Sequence, residues 1–188
     1  KSKKIWCAAS THDTEEKICA LAHKKLKNKY NNLLTIIIPR HIQRTNDIIN
    51  EIKNLDLKVQ THSTNNKISK NTEIYLVDTY GETKSFFKIC KTVFLGGSLI
   101  NHGGQNPLEP ARFGCKILHG PYIQNFTEIY KLLNQNNLSS KFNNVNQLVK
   151  LVDQSFKQNQ NYTNKAIKLK KIGSNILDHT LADINYYL

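Results

Sequence analysis

Residues 94–114, FLGGSLINHGGQNPLEPARFG, place four of the chain's eight glycines ahead of an asparagine, two prolines and a glutamate. Glycines there allow positive φ or close approach of the backbone to a ligand. Asn106 is a good N-cap, Pro107 suits the first helical position, and Glu109 falls three residues after the cap. Two readings stand side by side. Either Glu109 closes a capping box by reaching back to the Asn106 N–H, or its carboxylate serves a ligand. Pro110 counts against a regular cap, because it removes an early intrahelical donor.

Two further segments carry comparable chemistry. PRHIQR (39–44) sets the guanidinium groups of Arg40 and Arg44 beside His41, and arginine forks suit phosphate or carboxylate. The plain alternative is a pair of solvated surface arginines. DTYGE (78–82) puts a glycine and an acid just past a strand, either as a turn with a dipole-complementing glutamate or as helix-start N–H groups that hold an anion. His12, beside Ser10 and Thr11, is placed to touch a ligand or to cap the helix that follows. The seven histidines form no HExxH spacing, and no GxSxG elbow or phosphate-binding P-loop occurs. No residue is an evident general base, so no catalytic residue and no metal ligand is assigned to this chain.

The elements that must position these loops follow from hydrophobic pattern. IWCAAS (5–10), LLTIII (33–38), LKVQ (57–60), EIYLVD (73–78), TVFLGG and CKILHG read as strands. Between them lie a helix with Ile18, Leu21, Ala22 and Leu26 on one stripe, capped by Thr11 or Asp13, and another over about 44–54 showing Ile48, Ile49 and Ile52. Helices are also expected over 83–90, from the proline motif, and near 125–135, 145–158, 162–175 and 180–188. Continuous apolar strands alternating with helices predict an α/β, Rossmann-like parallel sheet covered on both faces. Such sheets bind ligands at the carboxyl ends of their strands, where all three segments fall.

Composition sets the outer limits. With 188 residues and 39% hydrophobic content the chain suits one globular domain, 1–188. No apolar run approaches the roughly 20 residues needed to span a bilayer, and no signal peptide opens the chain. The four cysteines form no CxxC pair and read as reduced thiols. Absence of methionine, even at position 1, suggests a fragment or processed domain. The net charge of +13 raises nucleic acid or an anionic membrane as partners. Nearly all of it is lysine, amid much asparagine and isoleucine, and no nucleic-acid motif accompanies it.

In order along the chain, AASTHDTEE, PRHIQR, VDTYGET, FLGGSLINHGGQNPLEPA and HGPYIQNF resemble the carboxy-terminal half of 3-deoxy-D-manno-octulosonic acid (Kdo) transferases, up to about residue 135. The resemblance implies the carboxy-terminal half of a GT-B glycosyltransferase fold and a donor-binding domain for CMP-Kdo. It places the nucleotide on Pro39 and Arg40, on Tyr80, Gly81 and Glu82, and on Asn106, Pro107, Leu108 and Glu109. It further implies inverting transfer of Kdo to a lipid A precursor in lipopolysaccharide core synthesis, with no cofactor and no metal. The base, the acceptor surface and the membrane anchor are expected in a separate amino-terminal domain. That puts the protein at the cytoplasmic face of a bacterial inner membrane, its basic surface against anionic lipid and without a nucleic-acid partner. A helix over 177–188 is expected to cross back to the other domain. The chain departs from the family pattern at Ile42, Gln43, Tyr80, Thr83 and Gln105. Another GT-B enzyme, a UDP-sugar epimerase or a basic RNA-binding module are the rival readings.

Overall fold

Strands such as LLTIII and TVFL are mostly apolar and buried at every position, so both of their faces need cover, which a parallel sheet between two helix layers supplies. The computed structural model, which describes residues 3–64 and 67–158, has that arrangement. Strands β1 (Lys4–Thr11), β2 (Leu33–Pro39), β3 (Val59–Thr61), β4 (Ile74–Leu76), β5 (Thr92–Leu95), β6 (Lys116–His119) and β7 (Ser139–Lys141) form one sheet. Their order is β3-β4-β2-β1-β5-β6-β7, and every pairing is parallel. Helices α1 (Glu15–Leu26), α2 (Thr45–Lys53) and α6 (Val145–Lys157) cover one face. Helices α3 (Thr83–Ile89), α4 (Leu108–Arg112) and α5 (Thr127–Gln135) cover the other. Alternation along β1 shows the division, with Trp6 and Ala8 packed beneath α1, and Cys7 and Ala9 turned to the opposite core.

The structure departs from the sequence reading in three places. Strand β7, with the polar sequence SSK, has no hydrophobic signature and was not expected. On α1 the buried positions include Cys19, Ala22, His23 and Leu26, while Ile18 and Leu21 are only half-buried. Neither Thr11 nor Asp13 caps that helix: its N-cap is Thr14, which makes no side-chain cap bond. The helices expected at 162–175 and 180–188, and the crossover segment 177–188, lie outside the described residues. All four cysteines are buried and free, and burial raises the Cys115 thiol to about 12.

Chain direction reverses at the centre of the sheet. From β1 the chain fills the β2 side, then crosses to β5 on the other flank of β1, so the switch point lies between β1 and β5. There Glu15, fully buried at the start of α1, joins the two loops. Its Oε2 accepts from the backbone N–H of His12 at 2.9 Å and of Gly97 at 2.8 Å. Its Oε1 accepts from Ser98 at 3.1 Å and Leu99 at 2.9 Å. Gly96 lets the loops meet, since a Cβ there would stand 2.3 Å from the Ser10 carbonyl oxygen and 2.6 Å from Glu15 Oε2.

Two stability measurements follow. Glu15→Gln exchanges one acceptor oxygen for an NH2 group that cannot satisfy two backbone N–H donors. Each unsatisfied donor costs about 1–3 kcal/mol, so urea unfolding is expected to register a loss of at least ~2 kcal/mol. A loss below about 0.5 kcal/mol, the scale of an ordinary surface change, would show that the loops hold themselves. His23 is buried with Nδ1 2.8 Å from Thr35 Oγ1, and burial lowers its pKa from 6.5 to about 4. The unfolded imidazole binds a proton below about 6.5 while the folded one stays neutral to about 4, so stability falls as pH falls through that window. The full loss is about 3 kcal/mol, and His23→Gln should flatten the pH 7 to pH 4 decline in unfolding free energy. An unchanged decline in the variant would assign the acid sensitivity elsewhere.

Candidate functional site

Because every strand is parallel, the loops after β1, β2, β4 and β5 all emerge on one rim. The two arginines of PRHIQR have different fates there. Arg44 is committed to structure: it donates to Glu16 Oε1 at 3.0 Å and to Asp13 Oδ1 at 2.7 Å. Glu16 is itself fully buried and also accepts from Thr11 Oγ1 at 2.9 Å. Burial raises the Glu16 pKa, against the opposing pull of Arg44 and Thr11. Arg40 instead stands exposed just past Pro39, with no ion-pair partner among the described residues. Its backbone N–H donates to the Thr11 carbonyl at 2.9 Å, so the β2 loop is tied to the β1 loop while the guanidinium points to no carboxylate.

The glutamate of the proline motif does not close a capping box. Helix α4 begins at Leu108 and lasts five residues, with Pro107 at the N-cap position. Asn106 Oδ1 accepts from the Leu108 N–H at 3.0 Å, a local Asx bond that satisfies one early donor. The Glu109 side chain is 47% exposed, and its Oε1 lies 3.4 Å from Lys84 Nζ on α3. Leu108 is half-buried beside it and Pro107 is buried. The helix is short because Gly114, at φ +77, turns the chain away directly after the C-cap residue Phe113. The neighbouring glycines serve the protein more than the sequence suggested. A Cβ at Gly103 would collide with Asn125, as one at Gly96 would with the β1 loop.

The turn after β4 has Tyr80 at 60% exposure and Gly81 at φ +89, a conformation that favours glycine. Glu82 is not idle: its Oε2 lies 2.7 Å from His62 Nε2. His62 Nδ1 in turn lies 2.8 Å from the Tyr75 hydroxyl. A carboxylate accepts from Nε2–H, which leaves Nδ1 to accept from the tyrosine, so Tyr75 and His62 fix where the Glu82 carboxylate stands. Lys84 links this turn to Glu109 across α3 and α4, bringing two of the three predicted segments together. The third, at Pro39 and Arg40, joins them through the β1 and β5 loops.

Sequence reasoning missed Glu15 and His62 as organisers of this rim. Nothing local marks Glu15, because three of its four partners lie 82 to 84 residues away. His12 was noted, and it sits between two uncommon positive-φ residues, Ser10 at 54° and Thr14 at 70°. Among the described residues no group of three or more His, Cys, Asp or Glu is arranged to hold a metal ion. No helix among them is long and apolar enough to cross a membrane. A shallow cavity of about 460 Å³ beside β3, lined by Ile49, Val59, Gln60 and Thr61, contains none of the predicted nucleotide residues.

No protein-family model matches the chain. A 3-deoxy-D-manno-octulosonic acid transferase of Haemophilus influenzae is 39% identical over 133 residues, 71% of this chain and 31% of that protein. One from Rickettsia conorii is 31% identical over 192 residues, all of this chain and 41% of its own length. The chain thus spans about a third to two fifths of the curated relatives it matches. Among solved structures, the C-terminal CMP-Kdo binding domain of WaaA from Acinetobacter baumannii superposes with a TM-score of 0.83 at 26% identity, covering 92% of this chain and 90% of that one. With its seven-stranded sheet matching the carboxy-terminal half of a GT-B glycosyltransferase and its sequence aligned to these enzymes throughout, the chain belongs to the 3-deoxy-D-manno-octulosonic acid transferase family.

Proposed function

We propose that this chain is the donor-binding domain of a Kdo transferase and takes CMP-Kdo on the rim after β2, β4 and β5. One observation carries the reading: Glu109 does not close the capping box and keeps an exposed carboxylate on the same rim as Arg40, which has no ion-pair partner among the described residues. The match to a domain named for CMP-Kdo binding supports it. Glu109 accepts from the ribose hydroxyls, and Arg40, next to Pro39, donates to the phosphate. Tyr80 offers an exposed ring to the base, with Gly81 shaping the turn and Glu82 accepting from the base or ribose. Asn106, Pro107 and Leu108 hold the segment that presents Glu109.

In the whole enzyme a hydroxyl of a lipid A precursor attacks the anomeric carbon of Kdo with inversion. Its proton passes to a base in the amino-terminal domain, and the C–O bond to CMP breaks with the electron pair on the departing phosphate. Arg40 neutralises that charge, so the reaction needs no metal. The acceptor is a lipid, which places the enzyme at the cytoplasmic face of the inner membrane, and the excess of lysine suits docking on anionic headgroups.

Calorimetric titration tests the site. CMP should bind in preference to UMP and GMP, with affinity unchanged by EDTA. Charged hydrogen bonds contribute roughly 1.5–3 kcal/mol each, so Glu109→Gln and Arg40→Ala should each weaken CMP at least about tenfold, with melting temperature little changed. A fall in stability with unchanged CMP affinity would make Glu109 a structural residue, and a strict magnesium requirement would remove Arg40 from its role. Transfer from CMP-Kdo to a lipid A precursor is expected only when the amino-terminal domain is supplied, because a positioned base contributes about 10²–10⁴ in rate. Robust transfer by this chain alone would place the base within it.

A further inference from the structure

The loops after β1, β2 and β5 also gather three imidazoles that the nucleotide contacts leave unused. The rings of His12 and His102 lie 4.4 Å apart between centroids, and His41 meets His12 edge-on at 5.7 Å. Gly97, at φ +63, forms the floor. A Cβ added there would stand 3.0 Å from His102 Cδ2, 3.3 Å from His12 Cε1 and 3.4 Å from Gln105 Nε2. Gln105 immediately precedes Asn106, and Arg40 is held to Thr11 through its backbone. The cluster therefore sits between Arg40 and the Asn106–Glu109 segment.

His12 is 8% exposed. Its Nδ1 lies 3.1 Å from the Ser10 carbonyl oxygen, which can only accept, so Nδ1 carries the hydrogen. The neutral ring then presents a bare lone pair at Nε2, and that nitrogen is buried with no hydrogen-bond partner. A buried polar atom left so is uncommon in a folded protein and calls for an explanation. The charged and titratable groups around the ring are Glu15 from α1, with Oε2 3.9 Å from Nδ1, Arg40 and His41 from the β2 loop, and His102 from the β5 loop. Glu15 already serves four backbone donors. Burial first, and His102 next, lower the His12 pKa below its ordinary value, so the ring is neutral near pH 7.

We infer that His12 and His102, with Gln105 and Arg40, form a subsite for an anionic oxygen of the donor, and that His12 takes up a proton when that oxygen arrives. This rests on the donor-binding reading above. The proton passes from solvent to the Nε2 lone pair, the new N–H then donates to the anion, and no bond of the donor itself is made or broken. Arg40 and the imidazoles supply donors and positive charge, which suits an anion better than a hydroxyl group. Phosphate and sugar carboxylate share this chemistry.

Calorimetry at pH 7.5 in two buffers of different ionisation enthalpy measures protons taken up on binding. The second ionisation of a phosphate monoester lies near pH 6, and the Kdo carboxylate is ionised throughout, so uptake at pH 7.5 belongs to the protein. CMP and free Kdo are titrated separately. Net uptake is expected with at least one of them, the probe that shows it identifies the anion, and His12→Asn abolishes it. Asparagine keeps a donor near the Ser10 carbonyl, so the variant should fold, which its melting temperature checks. Binding without proton uptake, as a hydroxyl donor at Nε2 would give, overturns the subsite, as does uptake that survives in His12→Asn. If CMP fails to bind while Kdo binds with uptake, the nucleotide reading falls and the subsite stands. If neither probe binds, both fall.

Discussion

A fully buried carboxylate at the centre of the sheet holds the functional rim together. Glu15 gives up its hydration, which costs several kcal/mol in a protein interior, and regains four backbone N–H donors drawn from the β1 and β5 loops. Charged hydrogen bonds of roughly 1.5–3 kcal/mol each offset that penalty. The geometry leaves little choice, because both carboxylate oxygens are used twice. It sets the spacing between the two strands that flank the switch point, and therefore where His12, Gly97 and the segment leading to Glu109 can lie. Gly96 completes the constraint by allowing backbone contact where any side chain would collide with Glu15 itself.

Around that clamp, charged residues divide into those whose partners are internal and those left for a ligand. Arg44, Glu16, Asp13 and Thr11 form a closed network in which the buried Glu16 is matched by a guanidinium and a hydroxyl. Arg40, four residues earlier on the same loop, has no such partner among the described residues. The difference comes from direction. The chain turns through Ile42–Arg44, which brings Arg44 against the start of α1 while Arg40 stays exposed just past Pro39. Glu109 and Glu82 are intermediate cases, the first exposed and the second half-buried, each held by one basic group, Lys84 or His62. Partly solvated contacts of this kind are weak and exchange readily for a ligand's hydrogen bonds.

Much of this was legible in the chain itself. Apolar runs in β1, β2, β4, β5 and β6, alternating with helical stripes, gave the parallel sheet and hence the rim. The ordered motifs gave the family and the residues to inspect, because they are local: Pro39 and Arg40, the turn at 80–82 and the stretch from Asn106 to Glu109 are each contiguous. Strand β7 was not legible, since SSK pairs at a sheet edge through backbone groups and needs no apolar side chains. Nor was the fate of Glu109, whose spacing from Asn106 fits a capping box equally well on paper.

Sequence by itself determined the layer architecture, the strand ends that carry the special loops, and the type of group each loop offers, because hydrophobic period and turn chemistry act over a few residues. Tertiary structure alone decided which of those groups remain available. Glu15 finds partners 82 to 84 residues away, Arg44 is captured by an acid 28 residues away, and Glu82 is steered by His62 across the edge of the sheet. An ionisable group's role depends on what satisfies it once water is removed, and in a parallel sheet those partners come from strands that neighbour in space and are distant in the chain.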